Sequence, residues 1–204
     1  KFLGAQWLDA RDIIVTNNTS GNGKVLRVKT EIFENDTKVF VIGGFYGSSE
    51  EGNTIVLPKG GSDLTADVIA ASLHACEYVN LKEVPGIFAA NPDYVQNPRI
   101  VNELTYREIR ELSYGGSKVL QEEAMTWCRR ASIPMRVRSL LHPKNLVTKI
   151  LQKRNILEQG VVGIAAKEDF IVYMIEKQDH PFFFQNLLSL FAEQGISVDM
   201  IGTE

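Results

Sequence analysis

Apolar residues over the first 150 positions follow two rhythms. Short runs rich in β-branched and aromatic residues stand at 13–15 (IIV), 38–43 (KVFVIG), 78–81 (YVNL) and 133–138 (IPMRVR). Each is too short for a helix and reads as a strand, and the 38–43 run predicts one buried on both faces in a parallel sheet. Other segments carry helical spacing. In LTADVIAASLHACEYV, Leu64, Val68, Ala71 and Ala75 share one face, with Ser62 or Asp63 placed to cap the first turn. Residues 104–112 open a second helix, where Thr105 and Glu108 three residues later form a capping box. A third is predicted over 118–132. Strands alternating with helices predict an α/β domain with a mostly parallel sheet over residues 1–150. Residues 151–159 (LQKRNILEQ) read as a polar connector. Beyond it the pattern becomes strand (161–165), strand (170–175), amphipathic helix (182–194, ended by Gly195) and strand (196–201), a separate α+β unit over 160–204.

Composition narrows the function classes. The 204 residues are 44% hydrophobic, enough for a core, which excludes disorder. No apolar stretch approaches the roughly 20 residues of a membrane span. A net charge of −3 argues against nucleic acid as the main partner. Cys76 and Cys128 lie far apart without a CxxC or a histidine cluster, so zinc and disulfide frameworks are not indicated. With no secretory signal at the front, this fits a reducing, cytoplasmic setting. The chain opens on Lys1 rather than Met, at what reads as an internal point of a longer protein.

Three glycine-rich loops carry candidate chemistry. Lys59-Gly60-Gly61-Ser62-Asp63 runs directly into a helix. Its glycines let backbone approach a ligand, the helix start offers free N–H groups, and Lys59 adds a full positive charge, a combination suited to phosphate or carboxylate. Asp63 is suited to an amino group or a cation. Gly43-Gly44-Phe45-Tyr46-Gly47 ends a strand, where open α/β sheets bind ligands. Gly115-Gly116-Ser117-Lys118 precedes a helix and is a weaker anion candidate. Taken singly, a capped glycine turn explains the first loop about as well, a tight glycine turn with packing aromatics the second about as well, and a surface lysine at a helix start is the commoner explanation of the third. None is a Walker or dinucleotide fingerprint.

Taken in order, the loops resemble one family. GGFYGSSEEGNT…LPKGGSDLTADVIAASL resembles the aspartate kinase pattern of a G-F-x-G loop followed by R-G-G-S-D and a helix. VPGIFAANP, ELTYREIRELSYGGSKVL and IPMRVR resemble its later kinase-domain motifs, and GVVGIAAKEDFIVYMIE…GISVDMIGTE resembles the start of an ACT regulatory domain. The resemblance implies an amino acid kinase-like three-layer α/β/α sandwich followed by a partial ferredoxin-like ACT unit. It implies transfer of the ATP γ-phosphoryl group to the β-carboxylate of L-aspartate, with Mg2+ arriving on the nucleotide. By the same resemblance, Lys59, Gly60, Gly61, Ser62 and Asp63 would bind aspartate, Lys59 standing where the family usually has Arg. Gly43, Gly44, Lys82, Glu83, Phe88, Lys118 and Val119 would lie at ATP, with Lys82-Glu83 in place of a usual Thr-Asp pair. Val198 and Asp199 would face an amino-acid effector, lysine or threonine, in a homodimer formed through ACT domains. The family's lysine-glycine loop and its substrate-binding glutamate find no counterpart here, so this chain alone is expected to be inactive. Two other readings stay open: a kinase of the same fold for another acid, and a non-catalytic homologue acting as an amino-acid-binding regulatory module.

Overall fold

The computed structural model describes residues 4–19, 21–33, 39–116, 125–141, 147–155, 160–166, 168–169, 171–176 and 179–202. The chain divides into two compact units, Lys1–Lys167 and Glu168–Glu204.

The first unit begins with β1 (Gln6–Leu8), the short α1 (Ala10–Ile13), β2 (Ile14–Thr16) and β3 (Val25–Val28). It continues through β4 (Phe40–Ile42), β5 (Tyr46–Ser49), β6 (Thr54–Val56), α2 (Gly61–Ser72) and β7 (Tyr78–Lys82). Then come β8 (Glu103–Thr105), α3 (Tyr106–Tyr114), α4 (Thr126–Arg130), β9 (Met135–Ser139) and β10 (Thr148–Leu151). The strands form three groups: β1-β4, β3-β2-β5-β6 and β7-β9-β10-β8.

Two sequence expectations change here. The sheets are mixed, with β2-β5, β7-β9 and β8-β10 parallel but β2-β3, β5-β6 and β9-β10 antiparallel. The reason is connection length: the short turn after β5 can return only an antiparallel neighbour. The 38–43 run forms a strand over Phe40–Ile42, yet Val41 is 47% exposed: among the described residues β4 pairs only with β1, and this two-stranded sheet leaves one face uncovered at Val41.

A larger core gathers Ile87, Val101, Leu104, Ile109, Met135 and Ile150 under the β7-β9-β10-β8 sheet, and a smaller one centres on Ala10, Ile13 and Ile14. Thr148 ties the first together. Its buried hydroxyl accepts from Ile87 N and donates to Val101 O, joining β10 to the loop between β7 and β8. The predicted capping box forms as read: Thr105 Oγ1 accepts from Glu108 N and Glu108 Oε2 from Thr105 N. Of the helix expected over 118–132, α4 is described, while residues 117–124 lie outside the described residues.

The second unit contains α5 (Phe183–Glu193), followed by Gly195 in the left-handed region at φ 67°. The strands expected at 161–165, 170–175 and 196–201 are not formed among the described residues. A strand needs a neighbour to take its backbone groups. Residues 161–164 find other partners within the first unit: Ile164 N donates to Ala89 O, and Arg99 donates to Val161 O.

Candidate functional site

α2 starts without a side-chain cap. Gly60 stands at its head at φ 85°, a left-handed conformation that costs glycine little, and neither Ser62 nor Asp63 bonds back to the first turn. The capping role expected of Ser62 or Asp63 is therefore corrected. Asp63 points elsewhere because better donors lie on β7: its Oδ1 accepts from Asn80 Nδ2 at 3.1 Å and its Oδ2 from Lys82 Nζ at 2.8 Å. Gly61 N donates to Pro58 O, no side chain caps the turn, and the helix dipole places partial positive charge at this end.

The Gly43–Phe45 segment closes over the same turn. A Cβ on Gly44 would come within 3.2 Å of Ser62 Cα, and one on Gly61 within 2.9 Å of Phe45 Cδ2. An added Cβ would collide at Gly61 and crowd the turn at Gly44. Phe45 itself sits at φ 83°, a costly conformation for a bulky residue. It is held there from both sides: its N–H donates to Thr65 Oγ1 and its carbonyl accepts from Leu57 N. Sequence reasoning missed this strained phenylalanine, since nothing in the string GGFYG distinguishes it from a packing aromatic.

Lys82 lies at the carboxyl end of β7, which runs parallel to β9 from Tyr78↔Met135 to Lys82↔Ser139. Lys82 O accepts from Leu140 N, and Glu83 O accepts from Ser139 Oγ at 3.4 Å. Asp63 and Lys82 are half-buried, with side chains 25% and 28% exposed. Below them Asn80 is buried and its amide also donates to the Tyr78 hydroxyl at 2.9 Å. Burial first, and the Asp63 charge second, push that phenol above its ordinary pKa, so it stays neutral.

The structure thus brings together Gly44, Gly60, Gly61, Ser62, Asp63 and Lys82 at one strand edge, with Gly43, exposed Lys59 and exposed Glu83 as chain neighbours. Such an edge, with N–H donors and one ammonium, can hold an oxyanion. Phe88 is placed in a different loop, bridged to Ile100. The third glycine loop is described only through Gly116, where Gly115 abuts Ala165; Lys118 and Val119 lie outside the described residues. Val198 and Asp199 belong to the second unit and are exposed. Among the described residues no group of three His, Cys, Asp or Glu could hold a metal ion.

The sequence profile of the amino acid kinase family matches residues 1–139. The chain belongs to that family. Within it, the chain is 31% identical to aspartokinase 3 of Bacillus subtilis (strain 168) over 211 residues, covering 98% of this chain and 46% of that protein. Aspartokinase 1, chloroplastic, of Arabidopsis thaliana is 30% identical over 212 residues, 98% of this chain and 37% of that protein. The chain spans about half the length, or less, of these relatives. Aspartate kinase of Clostridium acetobutylicum superposes with a TM-score of 0.63 at 34% identity, over 75% of this chain and 34% of that one. E. coli aspartokinase III, solved with lysine and aspartate, gives 0.69 at 24% identity over 98% of this chain and 47% of that one, a likeness of fold. The amino acid kinase fold and the resemblance to aspartate kinases read from the ordered motifs are both borne out.

One further residue of this family member escaped the sequence. Asp67, fully buried on α2, accepts from Trp127 N and Cys128 N at 2.9 Å each, capping α4 from another helix. Burial raises its pKa against those bonds, and burial likewise raises the Cys128 thiol. No local spacing reveals a cap supplied from 60 residues away.

Proposed function

We propose that the protein carrying this chain is an ATP-dependent aspartate kinase. The observation that carries the reading is the cluster of Asp63, Lys82 and the uncapped start of α2 beneath the Gly43–Phe45 loop, in a chain 31% identical to an aspartokinase over 98% of its own length.

The reaction moves the γ-phosphoryl of ATP to the β-carboxylate of L-aspartate, forming an acyl phosphate and ADP. Such transfer asks mainly for positioning and charge neutralisation. The donor set suits a polyphosphate: in this reading the α2 start and the Lys82 ammonium would meet its oxyanions, and Gly43 and Gly44 would allow close approach. Lys59, exposed beside Gly60, would meet the acceptor's carboxylate as a point charge, where Arg would grip in two parallel bonds. Mg2+ would come on the nucleotide. Both Asp63 oxygens are already engaged by Asn80 and Lys82, so this carboxylate is poorly placed as a resident metal ligand. Phe88, Glu83, Lys118 and Val119 complete the nucleotide side in this reading.

The second unit is proposed as the start of an ACT regulatory region, with Val198 and Asp199 toward a lysine or threonine effector and dimerisation through this unit. The description of the Clostridium acetobutylicum protein as an allosteric enzyme supports that assignment. Lysine biosynthesis in the cytoplasm is the setting this reading implies.

Hydroxylamine trapping in the natural full-length protein tests the activity. ATP-dependent aspartyl hydroxamate, with none from L-glutamate, is the expected outcome; no product above the enzyme-free control overturns the reading. One observation favours a second reading, a regulatory module without turnover: Lys82 occupies the carboxylate that would otherwise be open to a substrate ammonium. It predicts thermal stabilisation by lysine or threonine and none by ATP.

A further inference from the structure

We propose that Asn80 is a positioning residue that turns Lys82 into a fixed anion-binding group, acting through Asp63. This rests on the reading of the β7 edge as a phosphate site and assigns a role to a residue that the motif resemblance leaves unused.

Strand geometry sets the arrangement. The period of two places Tyr78, Asn80 and Lys82 on one face of β7, with Val79 and exposed Leu81 on the other. α2 packs against β7, and its first turn delivers Asp63 between positions 80 and 82. A ladder results. The two N–H groups of the Asn80 amide go to Tyr78 Oη and Asp63 Oδ1, and Asp63 Oδ2 takes the Lys82 ammonium. Exposure rises along it: Tyr78 is 8% exposed and Asn80 5%, while the Lys82 side chain is 28% exposed at the strand's open end.

A half-exposed Lys–Asp pair holds nothing in place by itself, since the lysine gives up rotamer freedom for a screened contact. The carboxylate must already be fixed. Asn80 does this from a buried position, and Tyr78, neutral and buried, fixes Asn80 in turn. One of three ammonium donors is spent on Asp63, leaving others to turn toward an oxyanion above the α2 start. Asp63 in this arrangement aims Lys82 and does not grip a substrate ammonium itself.

The test uses inorganic tripolyphosphate, free of metal, titrated calorimetrically into the full chain. Four forms are compared: wild type, Asn80→Leu, Lys82→Met and the double variant, with Asp63→Asn as a second disruption of the same ladder. Loss of one charge-assisted contact predicts roughly tenfold weaker binding for Lys82→Met and a loss of the same order for Asn80→Leu and Asp63→Asn. The decisive expectation is coupling: Asn80→Leu has no further effect once Lys82 is Met. Additive losses, or unchanged affinity in Asn80→Leu with only a lowered melting temperature, would make Asn80 a merely structural residue and overturn the proposal. If Asn80→Leu does not fold, Asp63→Asn in the Lys82→Met background takes its place: no further loss supports the ladder, and an additive loss overturns it. Tripolyphosphate that fails to bind wild type also overturns it. A chain that binds tripolyphosphate with the coupling intact, while the full-length protein makes no aspartyl hydroxamate, refutes the aspartate kinase reading alone.

Discussion

Asp67 shows how much a single side chain carries. α4 has Met125 at its head and no cap of its own, so the buried Asp67 carboxylate supplies what its first N–H groups need. Asp67→Ala leaves one buried and one part-buried donor unpaired and is expected to cost about 2–3 kcal/mol, read as a lower urea midpoint at unchanged slope. Glu108 works in the opposite electrostatic sense. The Arg154 guanidinium, with Thr105 N adding a further bond, holds its pKa at about 2 against the desolvation that would raise it. A carboxylate with a depressed folded pKa contributes stability above its ordinary range, and that stability is lost as pH falls toward 2. Thermal melts between pH 5 and 2 should therefore show wild type losing more stability than Glu108→Gln, and equal slopes would remove the clamp. Of these residues, the capping box was legible because its partners stand three positions apart. Arg154 and Asp67 were not, because their partners lie 46 and about 60 residues away.

At the scale of elements, the start of α2 is set by glycine. A methyl group on Gly61 would meet Leu57 Cβ at 2.8 Å and Phe45 Cδ2 at 2.9 Å, so one of these neighbours must shift. Gly61→Ala is expected to cost about 1–3 kcal/mol and to weaken tripolyphosphate binding with it; thermal melts and the same calorimetric titration check this, and full affinity would separate the loop from the site. Thr105→Ala, remote from that edge, should cost about 1 kcal/mol in denaturant melts and leave tripolyphosphate affinity unchanged. Helices were readable because apolar spacing and caps are local. Strand surroundings were less so: KVFVIG reads as buried on both faces, yet in the two-stranded β1-β4 sheet of the described residues Val41 stays exposed. That the glycines of the Lys59–Asp63 loop lead straight into a helix was legible in the sequence. The approach of Lys82 and Asn80 to Asp63 was hidden, since it depends on how β7 lies beside α2.

For the whole molecule, the two units differ in how much they bury. The first owns both cores, whereas α5 in the second has no buried residue and Met174, Val172 and Ile171 are 96%, 83% and 77% exposed. In the proposed ACT reading this exposed apolar segment is the surface through which two copies would associate. In the ACT reading, Met174→Glu is expected to shift the sedimenting species from dimer to monomer; an unchanged dimer would move the interface elsewhere. In the first unit, the proposed kinase chemistry depends on the turn at α2, the Gly43–Phe45 loop and the end of β7 forming one phosphate-binding edge. Amide NMR of the 15N-labelled chain titrated with ADP tests this most directly. The largest shifts are expected at Gly44, Phe45, Ser62, Asp63 and Lys82. Shifts confined to other parts of the chain, or none at saturating ADP, would contradict it.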